Sequence, residues 1–132
     1  MLFLDKSFYC TFAITGLIST AIALSPQAIR AETGRDKITF DLSAISPEGL
    51  IGNQQSLRSV GYEFCIPTQA DRVNEVKVID PTVQFSRSRG RIGCRSNQYL
   101  CIGETHQPDW KTVLLKLADL DYVKRIDQFW GE

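Results

Sequence analysis

The residues best suited to chemistry lie close together, in the stretch SRSRGRIGCRSNQYLCIG at residues 86–103. Guanidinium groups recognise carboxylate, phosphate and sulfate, because their planar donors match two oxygens at once. The stretch therefore predicts an anion-binding loop or, alternatively, a solvated loop whose arginines pair with acids such as Glu63 or Asp71. It holds no acidic residue and contains four arginines and two cysteines, namely Arg87, Arg89, Arg91, Arg95, Cys94 and Cys101. We call residues 87–95 the arginine loop.

A third cysteine, Cys65, lies just before the predicted start of a helix, and it leaves two interpretations of the thiols open. The first is a stabilising disulfide, which small exported proteins commonly carry. Its favoured pairing is Cys94 with Cys101, which closes a short loop around the arginines, and the alternative is Cys65 with Cys101 across neighbouring strands. The second is a reactive thiol at Cys65, because a helix N-terminus and nearby arginines both stabilise a thiolate.

A zinc site made of the three thiolates and His106 is a third interpretation. His106, however, follows the far end of the strand that holds Cys101, roughly 20 Å from the other end at about 3.3 Å per residue. That distance also excludes a nucleophile–base pair of Cys65 and His106, which requires hydrogen-bond reach. We therefore expect no metal and no cofactor.

The N-terminus has the pattern of a targeting segment. Residues 8–24 (FYCTFAITGLISTAIAL) carry no charge, Lys6 precedes them, and small residues follow at Ala28 and Ala31. This order is typical of a secretory signal peptide, predicted here as residues 1–31. The alternative is an uncleaved membrane anchor at residues 8–24, which is near the lower length limit for a bilayer span. We expect a periplasmic, lumenal or extracellular protein.

The charge of the chain is balanced, with 15 basic and 15 acidic side chains among 132 residues. Without residues 1–31, thirteen basic and fourteen acidic side chains remain. A nucleic acid is therefore not an expected partner, and a membrane is expected only through an uncleaved leader. A charge-driven partner, either an acidic protein or a small anion, must bind a local patch.

The elements that would position these residues alternate in type. A strand at residues 37–42 and a long loop at 43–59, whose Leu57 should pack against the body, form the predicted N-terminal part, residues 32–59. From residue 60 onward the patterns predict strand, helix, strand, strand, helix, strand. The predicted ranges are strand 60–66, a helix from Thr68 to residue 79, strands 83–87 and 98–104, a helix from Pro108, and a strand from Asp121.

That order predicts an α+β fold, a ferredoxin-like split βαβ sandwich over residues 60–132. Tyr62, Phe64 and Ile66 would face the helices together with Leu100 and Ile102. Cys65 and Cys101 would then share the other face. The third core strand would lie between the first two, so that the three cysteines, the arginine loop and a helix start converge at one end of the sheet.

Four short motifs resemble a family of small exported proteins found chiefly in cyanobacteria. They are YEFCIP (62–67), SRGRIGC (88–94), QYLCIG (98–103) and THQPDW (105–110). The resemblance covers the chain from about residue 60 to its end. It implies export, a compact domain and a periplasmic or lumenal setting, and it implies no catalytic residue, because the family carries no established activity.

No catalytic or cofactor signature is present in the sequence, which disfavours an enzyme. The leader and the arginine loop predict an exported, non-enzymatic binding or interaction module for an anionic ligand or an acidic partner. Two alternatives remain at this point. One is a thiol-dependent redox protein or enzyme that uses Cys65, and the other is a purely structural or assembly protein.

Overall fold

The computed structural model describes residue 16 and residues 34–131. Apart from residue 16, the predicted leader at residues 1–31 lies outside the described residues. The fold is mixed α+β, as predicted, with two helices and two antiparallel sheets. The elements are a 3₁₀ turn at Leu42–Ala44, strands β1 (Leu50–Asn53), β2 (Ser56–Ser59) and β3 (Gly61–Pro67), helix α1 (Ala70–Ile79), strands β4 (Gln84–Ser86) and β5 (Gln98–Glu104), helix α2 (Trp110–Asp119) and strand β6 (Asp127–Phe129).

The main sheet has the order β4-β5-β3-β6, and every neighbouring pair is antiparallel. Its centre is the long pair β3 and β5, whose sequences GYEFCIP and QYLCIGE are rich in the aromatic and β-branched residues that strands favour. As predicted, β5 lies between β3 and β4. The end of β3, the arginine loop and the start of β5 therefore meet at one end of the sheet.

The hydrophobic core lies between the helices and one face of this sheet. Tyr62, Phe64 and Ile66 of β3 are buried there, as their alternation predicts. Helix α2 carries its apolar residues at helical spacing, so that Leu114 and Leu117 are completely buried against them.

The predicted faces of β5 are wrong. In the observed register Cys101 is opposite Phe64, and Leu100 is opposite Cys65. Directly opposed residues of antiparallel strands share a face, so Cys101 faces the helices, whereas Leu100 and Ile102 face away from them. Both sets of β5 side chains are largely apolar, and alternation alone therefore does not determine which set points to the core.

The N-terminal predictions are wrong in two places. Residues 37–42 form no strand: only Ile38 makes a parallel bridge, to Ile126. The Asp41 carboxylate accepts hydrogen bonds from the N–H and O–H of Ser43 at 2.9 and 2.7 Å, which turns the chain into the 3₁₀ turn. The predicted loop at 43–59 contains the β1–β2 hairpin, on which Leu57 is exposed instead of packed.

Two element boundaries also differ from the predictions. Helix α1 begins at Ala70 with Gln69 as its N-cap, and the hydroxyl of Thr68 donates to the Asn97 carbonyl at 3.3 Å instead of capping the helix. The last strand is short, Asp127–Phe129. The segment before it turns inward and buries Val123 completely.

A buried polar cluster joins the end of α1 to the start of α2. The Asp80 carboxylate is fully buried and accepts hydrogen bonds from the Tyr62 hydroxyl, from Gln107 Nε2 at 3.0 Å, and from the N–H and O–H of Thr82 at 2.9 and 2.6 Å. Burial, followed by the charge of Asp80, raises the pKa of Tyr62 above its usual value. The phenol therefore stays protonated and serves as a donor within the core.

Within residues 34–131, no helix has the length and apolar character needed to cross a membrane.

Candidate functional site

The arginine loop lies on the sheet face that the helices leave uncovered. Glu63, Cys65 and Leu100 point toward that face. Gly90, with a φ of 62°, lies directly against two of them: a Cβ there would come within 2.8 Å of Leu100 Cδ1 and 3.0 Å of Glu63 Oε2. The backbone of the loop therefore packs closely on the sheet, which keeps Leu100 buried although it faces away from the core.

A disulfide between Cys65 and Cys94 ties the loop to β3, with a Cα–Cα distance of 5.5 Å. The predicted pair of Cys94 and Cys101 is therefore wrong, and so is the alternative pair of Cys65 and Cys101. The cause is the register of β5, which places Cys101 on the helix face while Cys65 and the loop occupy the opposite face. A bridge involving Cys101 would have to cross the sheet.

The predicted reactive thiol at Cys65 is also wrong, because this sulfur is already bonded to that of Cys94. Among the described cysteines the free thiol is Cys101, which is fully buried. Desolvation raises the pKa of this thiol to about 12. A thiol that is buried and protonated at neutral pH is a poor nucleophile, so Cys101 does not take the place of the predicted reactive thiol.

Two polar tethers reinforce the disulfide. The carboxylate of Glu63 is almost completely buried, and its Oε1 accepts a hydrogen bond of 2.7 Å from the N–H of Ile92. Arg125 Nη2 donates to the Ile92 carbonyl at 3.3 Å, while its Nε lies 2.9 Å from a carboxylate oxygen of Asp127. Both backbone polar groups of Ile92 are therefore held, one by β3 and the other by the segment that precedes β6. The second oxygen of Glu63 is buried and has no partner among the described residues.

The four arginines of the loop point to solvent. Arg87 stacks on the ring of Tyr99 at 4.9 Å and reaches the Ser96 carbonyl at 3.5 Å. Within residues 34–131, none of the four lies within 4.0 Å of a carboxylate oxygen, and the pairing considered with Glu63 or Asp71 is not observed. Unpaired cations on an anchored loop form a patch of positive potential.

Beside the disulfide lies a cavity of about 370 Å³, here called the basic cavity. Its charged lining residues are Arg95, Lys124 and Arg125, and none of its lining side chains is acidic. Gln98 also lines it. The side-chain carbonyl of Gln98 accepts the N–H of Arg95 at 2.9 Å, which leaves the amide NH₂ as a further donor. Because Arg125 is paired with Asp127, Arg95 and Lys124 are the lining cations without a carboxylate partner among residues 34–131, and with the Gln98 amide they form a donor set suited to an oxyanion.

Lys124 and Arg125 were not predicted as site residues. Both of them fall in the strand that the sequence predicts from Asp121. The strand order contains the missing signal: β6 is antiparallel to β3, with Asp127 opposite Glu63. Residues just before Asp127 must therefore lie beside the end of β3, next to Cys65.

The other predicted residues lie outside the basic cavity. Arg87, Arg89 and Arg91 do not line it, so Arg95 is the one loop arginine that does. The start of α1 lies at a neighbouring cavity, lined by Gln69, which shares Gln98 and Lys124 with the basic cavity. The helix dipole can therefore add to the positive potential near the basic cavity.

His106 is exposed, and its Nδ1 lies 3.2 Å from the Glu48 carbonyl, on the loop before β1. It flanks the start of α2 and does not join the cysteines. Among residues 34–131, no three His, Cys, Asp or Glu side chains are arranged to hold a metal ion.

Comparisons of the chain with protein-family models, with curated proteins and with solved structures find no match.

Proposed function

We propose that this protein is an exported, non-enzymatic binding module that captures a small oxyanion, or an acidic group of a partner protein, at the basic cavity and the adjoining arginine loop. The observation that carries the proposal is that Arg95 and Lys124, together with the ion-paired Arg125, line one cavity that has no acidic lining residue. Among residues 34–131 no carboxylate oxygen lies within 4.0 Å of the Arg95 or Lys124 side chain, so a bound anion would offset the repulsion between these two like charges.

The anchoring of the loop supports the proposal. Guanidinium groups bind carboxylate or phosphate strongly when their position is fixed beforehand, because less side-chain freedom is lost on binding. The disulfide and the hydrogen bond from Ile92 to Glu63 fix the backbone from which Arg95 projects. Exposed Arg89 and Arg91 would add long-range attraction that salt screens within about 10 Å at 0.1 M ionic strength.

We further propose that the domain is a ferredoxin-like sandwich and that it belongs with the small exported proteins it resembles. The order β4-β5-β3-β6, with α1 and α2 on one face, supports the fold assignment. Export is supported by the leader pattern at residues 1–31 and by the disulfide, since disulfides persist in oxidising compartments.

The test compares two double variants that each remove two positive charges. Arg95→Gln with Lys124→Gln alters the basic cavity, whereas Arg89→Gln with Arg91→Gln alters only the exposed loop. Inorganic phosphate and sulfate, titrated calorimetrically, probe the cavity. We expect the cavity variant to lose at least tenfold in affinity, about 1.4 kcal/mol, and the loop variant to stay within about twofold.

A polyglutamate peptide probes the acidic-partner form of the proposal. Both variants should weaken its binding, and the weakening should diminish with added salt. Melting temperatures should change little, because exposed substitutions usually alter stability by no more than about 0.5 kcal/mol. If neither anion nor peptide binds, or if the two variants behave alike toward phosphate, the proposal fails and a structural or assembly role is the better interpretation.

A further inference from the structure

The arginine loop covers the outward sheet face where Glu63, Cys65 and Leu100 lie. Farther along the same face is the floor of a larger cavity, about 630 Å³, here called the open-face cleft. Ile102 forms part of the floor, because it lies opposite both Glu63 and Gln84 in the register and so faces away from the helices. None of residues 87–95 lines this cleft, so it is separate from the proposed anion site.

Two walls flank the floor. One is β2, from which Arg58 and Ser59 line the cleft, and the other is the segment after β6, with Phe129 and Trp130. Gly61 allows the second wall to come close: a Cβ at this position would lie 3.1 Å from Phe129 Cδ1, so the ring rests directly on the backbone of β3.

The charges of the open-face cleft are balanced, which distinguishes it from the basic cavity. Among residues 34–131, Arg58 and Glu104 are its charged lining residues, one of each sign, whereas three cations and no acid line the basic cavity. An ion that loses water on entering the cleft would find no excess of opposite charge to compensate the lost hydration. This balance favours an uncharged ligand over an ion.

The remaining side chains suit a ligand with many hydroxyl groups and apolar C–H faces. The indole of Trp130 is 53 % exposed at the rim, an arrangement that offers a flat apolar surface to a ring. The side chain of Gln84 lies opposite Ile102 and so shares the outward face, where its amide offers both a donor and an acceptor. Hydroxyl groups require such paired donors and acceptors.

We propose that the open-face cleft binds a neutral carbohydrate, a short oligosaccharide whose sugar ring stacks on Trp130 while its hydroxyl groups are held by Gln84, Arg58 and Glu104. The volume falls within the range of about 300–1,000 Å³ that is usual for small-molecule sites. This inference is independent of the proposed anion function, because the two cavities share no lining residue.

The test uses protein produced from the full 132-residue sequence and follows its tryptophan emission. The probes are maltohexaose, cellohexaose and N-acetylated chitohexaose. Trp110 serves as an internal reference, because it is buried and its Nε1 donates to the Ser46 carbonyl at 2.9 Å. Stacking on Trp130 should shift the emission to the blue and protect it from acrylamide quenching.

We expect at least one probe to give a saturable shift, and Trp130→Ala to weaken its binding at least tenfold. Gln84→Ala should weaken it by a smaller factor. Leu57→Ala, which removes another exposed apolar side chain of the hairpin outside the cleft, should leave the affinity within about twofold. Arg95→Gln with Lys124→Gln should leave sugar binding unchanged, even if phosphate binding is lost.

Three results would overturn the inference. The first is the absence of a saturable signal with any probe up to about 10 mM. At that concentration even a complex with a Kd of about 1 mM, which corresponds to about −4 kcal/mol, would be visible. The second is equal sugar affinity in the protein with and without Trp130→Ala. The third is a blue shift without sugar, caused either by a neutral glycine–serine peptide or by raising the protein concentration, which would assign the cleft to a peptide or to a second copy of the chain.

Discussion

Removal of the Cys65–Cys94 disulfide should weaken the fold by an amount that follows from its place in the chain. The bridge closes a loop with a sequence separation of 29 residues. In the chain-entropy model a loop of this length corresponds to about 3.5 kcal/mol of stabilisation, because the cross-link restricts the unfolded chain. Total stabilities of small domains are about 5–15 kcal/mol, so the variant Cys65→Ala with Cys94→Ala should still fold, with a melting temperature lower by roughly 15 to 25 °C.

Urea unfolding followed by far-ultraviolet circular dichroism measures this loss. Reductant should lower the stability of the unmodified protein to nearly that of the double variant and should leave the double variant unchanged. Cys101→Ala is the matched control, because it removes a buried sulfur but retains the bridge. It should therefore remain sensitive to reductant.

A loss below about 1 kcal/mol would refute the reasoning, since it would mean that the loop restricts the unfolded chain far less than its length implies. The same conclusion would follow if reductant destabilised the double variant as much as the unmodified protein. Insensitivity of Cys101→Ala to reductant would show that the bridge involves Cys101 after all.

Three further predictions concern the Asp80 cluster, the glycines of the arginine loop and the free thiol. Asp80→Asn should cost about 2–4 kcal/mol in urea unfolding, because the new NH₂ group faces donors, whereas Tyr62→Phe, which removes one donor, should cost only about 1–2 kcal/mol. Gly90→Ala and Gly93→Ala both place a side chain at positive φ, but only at Gly90 would the Cβ meet other atoms. Gly90→Ala should therefore lower the free energy of unfolding by about 1 kcal/mol more than Gly93→Ala does. A smaller difference would contradict the close packing of the loop on the sheet. The unfolding free energy should fall as the pH rises from 9.0, the ordinary pKa of a thiol, toward about 12, because the unfolded chain loses the Cys101 proton first. Cys101→Ala should flatten this decline. An unchanged slope in that variant would exclude the thiol as the cause.

The central elements of the fold could be predicted because their local signals agree. The alternation in β3 and the helical spacing of α2 each indicate one structure, and Pro67 and Pro81 mark the ends of β3 and α1. The hairpin could not be found in this way. Its strands LIGN and SLRS are mostly exposed and lack alternating apolar residues, and its turn has no Asn-Gly or Asp-Gly pair.

The disulfide could not be predicted correctly because it depends on the faces of β5. Leu100 and Ile102 are larger than Cys101 and Gly103, which favoured them as core residues. In the structure Gly103 lies under the ring of Tyr62, where a Cβ would come within 2.6 Å of ring atoms, so the small residue is required on the core face. That close approach depends on the pairing of β5 with β3, which is distant in sequence, so the periodicity within β5 alone does not reveal it.

The composition of the arginine loop explains why it needs a covalent tether. Fixing the backbone costs about 1–2 kcal/mol per residue, and among residues 87–95 only Cys94 is buried, while the arginines remain in water. Apolar burial therefore contributes little to ordering this loop, in contrast to the helices on the other face.

When the bridge is reduced, the loop should open before the sheet unfolds, since segments with few buried contacts open at the lowest free energy. The basic cavity, which is lined by Cys65 and Arg95, would then lose one of its walls, whereas the open-face cleft would keep all of its lining residues. Mild reduction should consequently abolish phosphate binding and spare sugar binding, which makes the redox state of one bond the means of separating the two proposed sites.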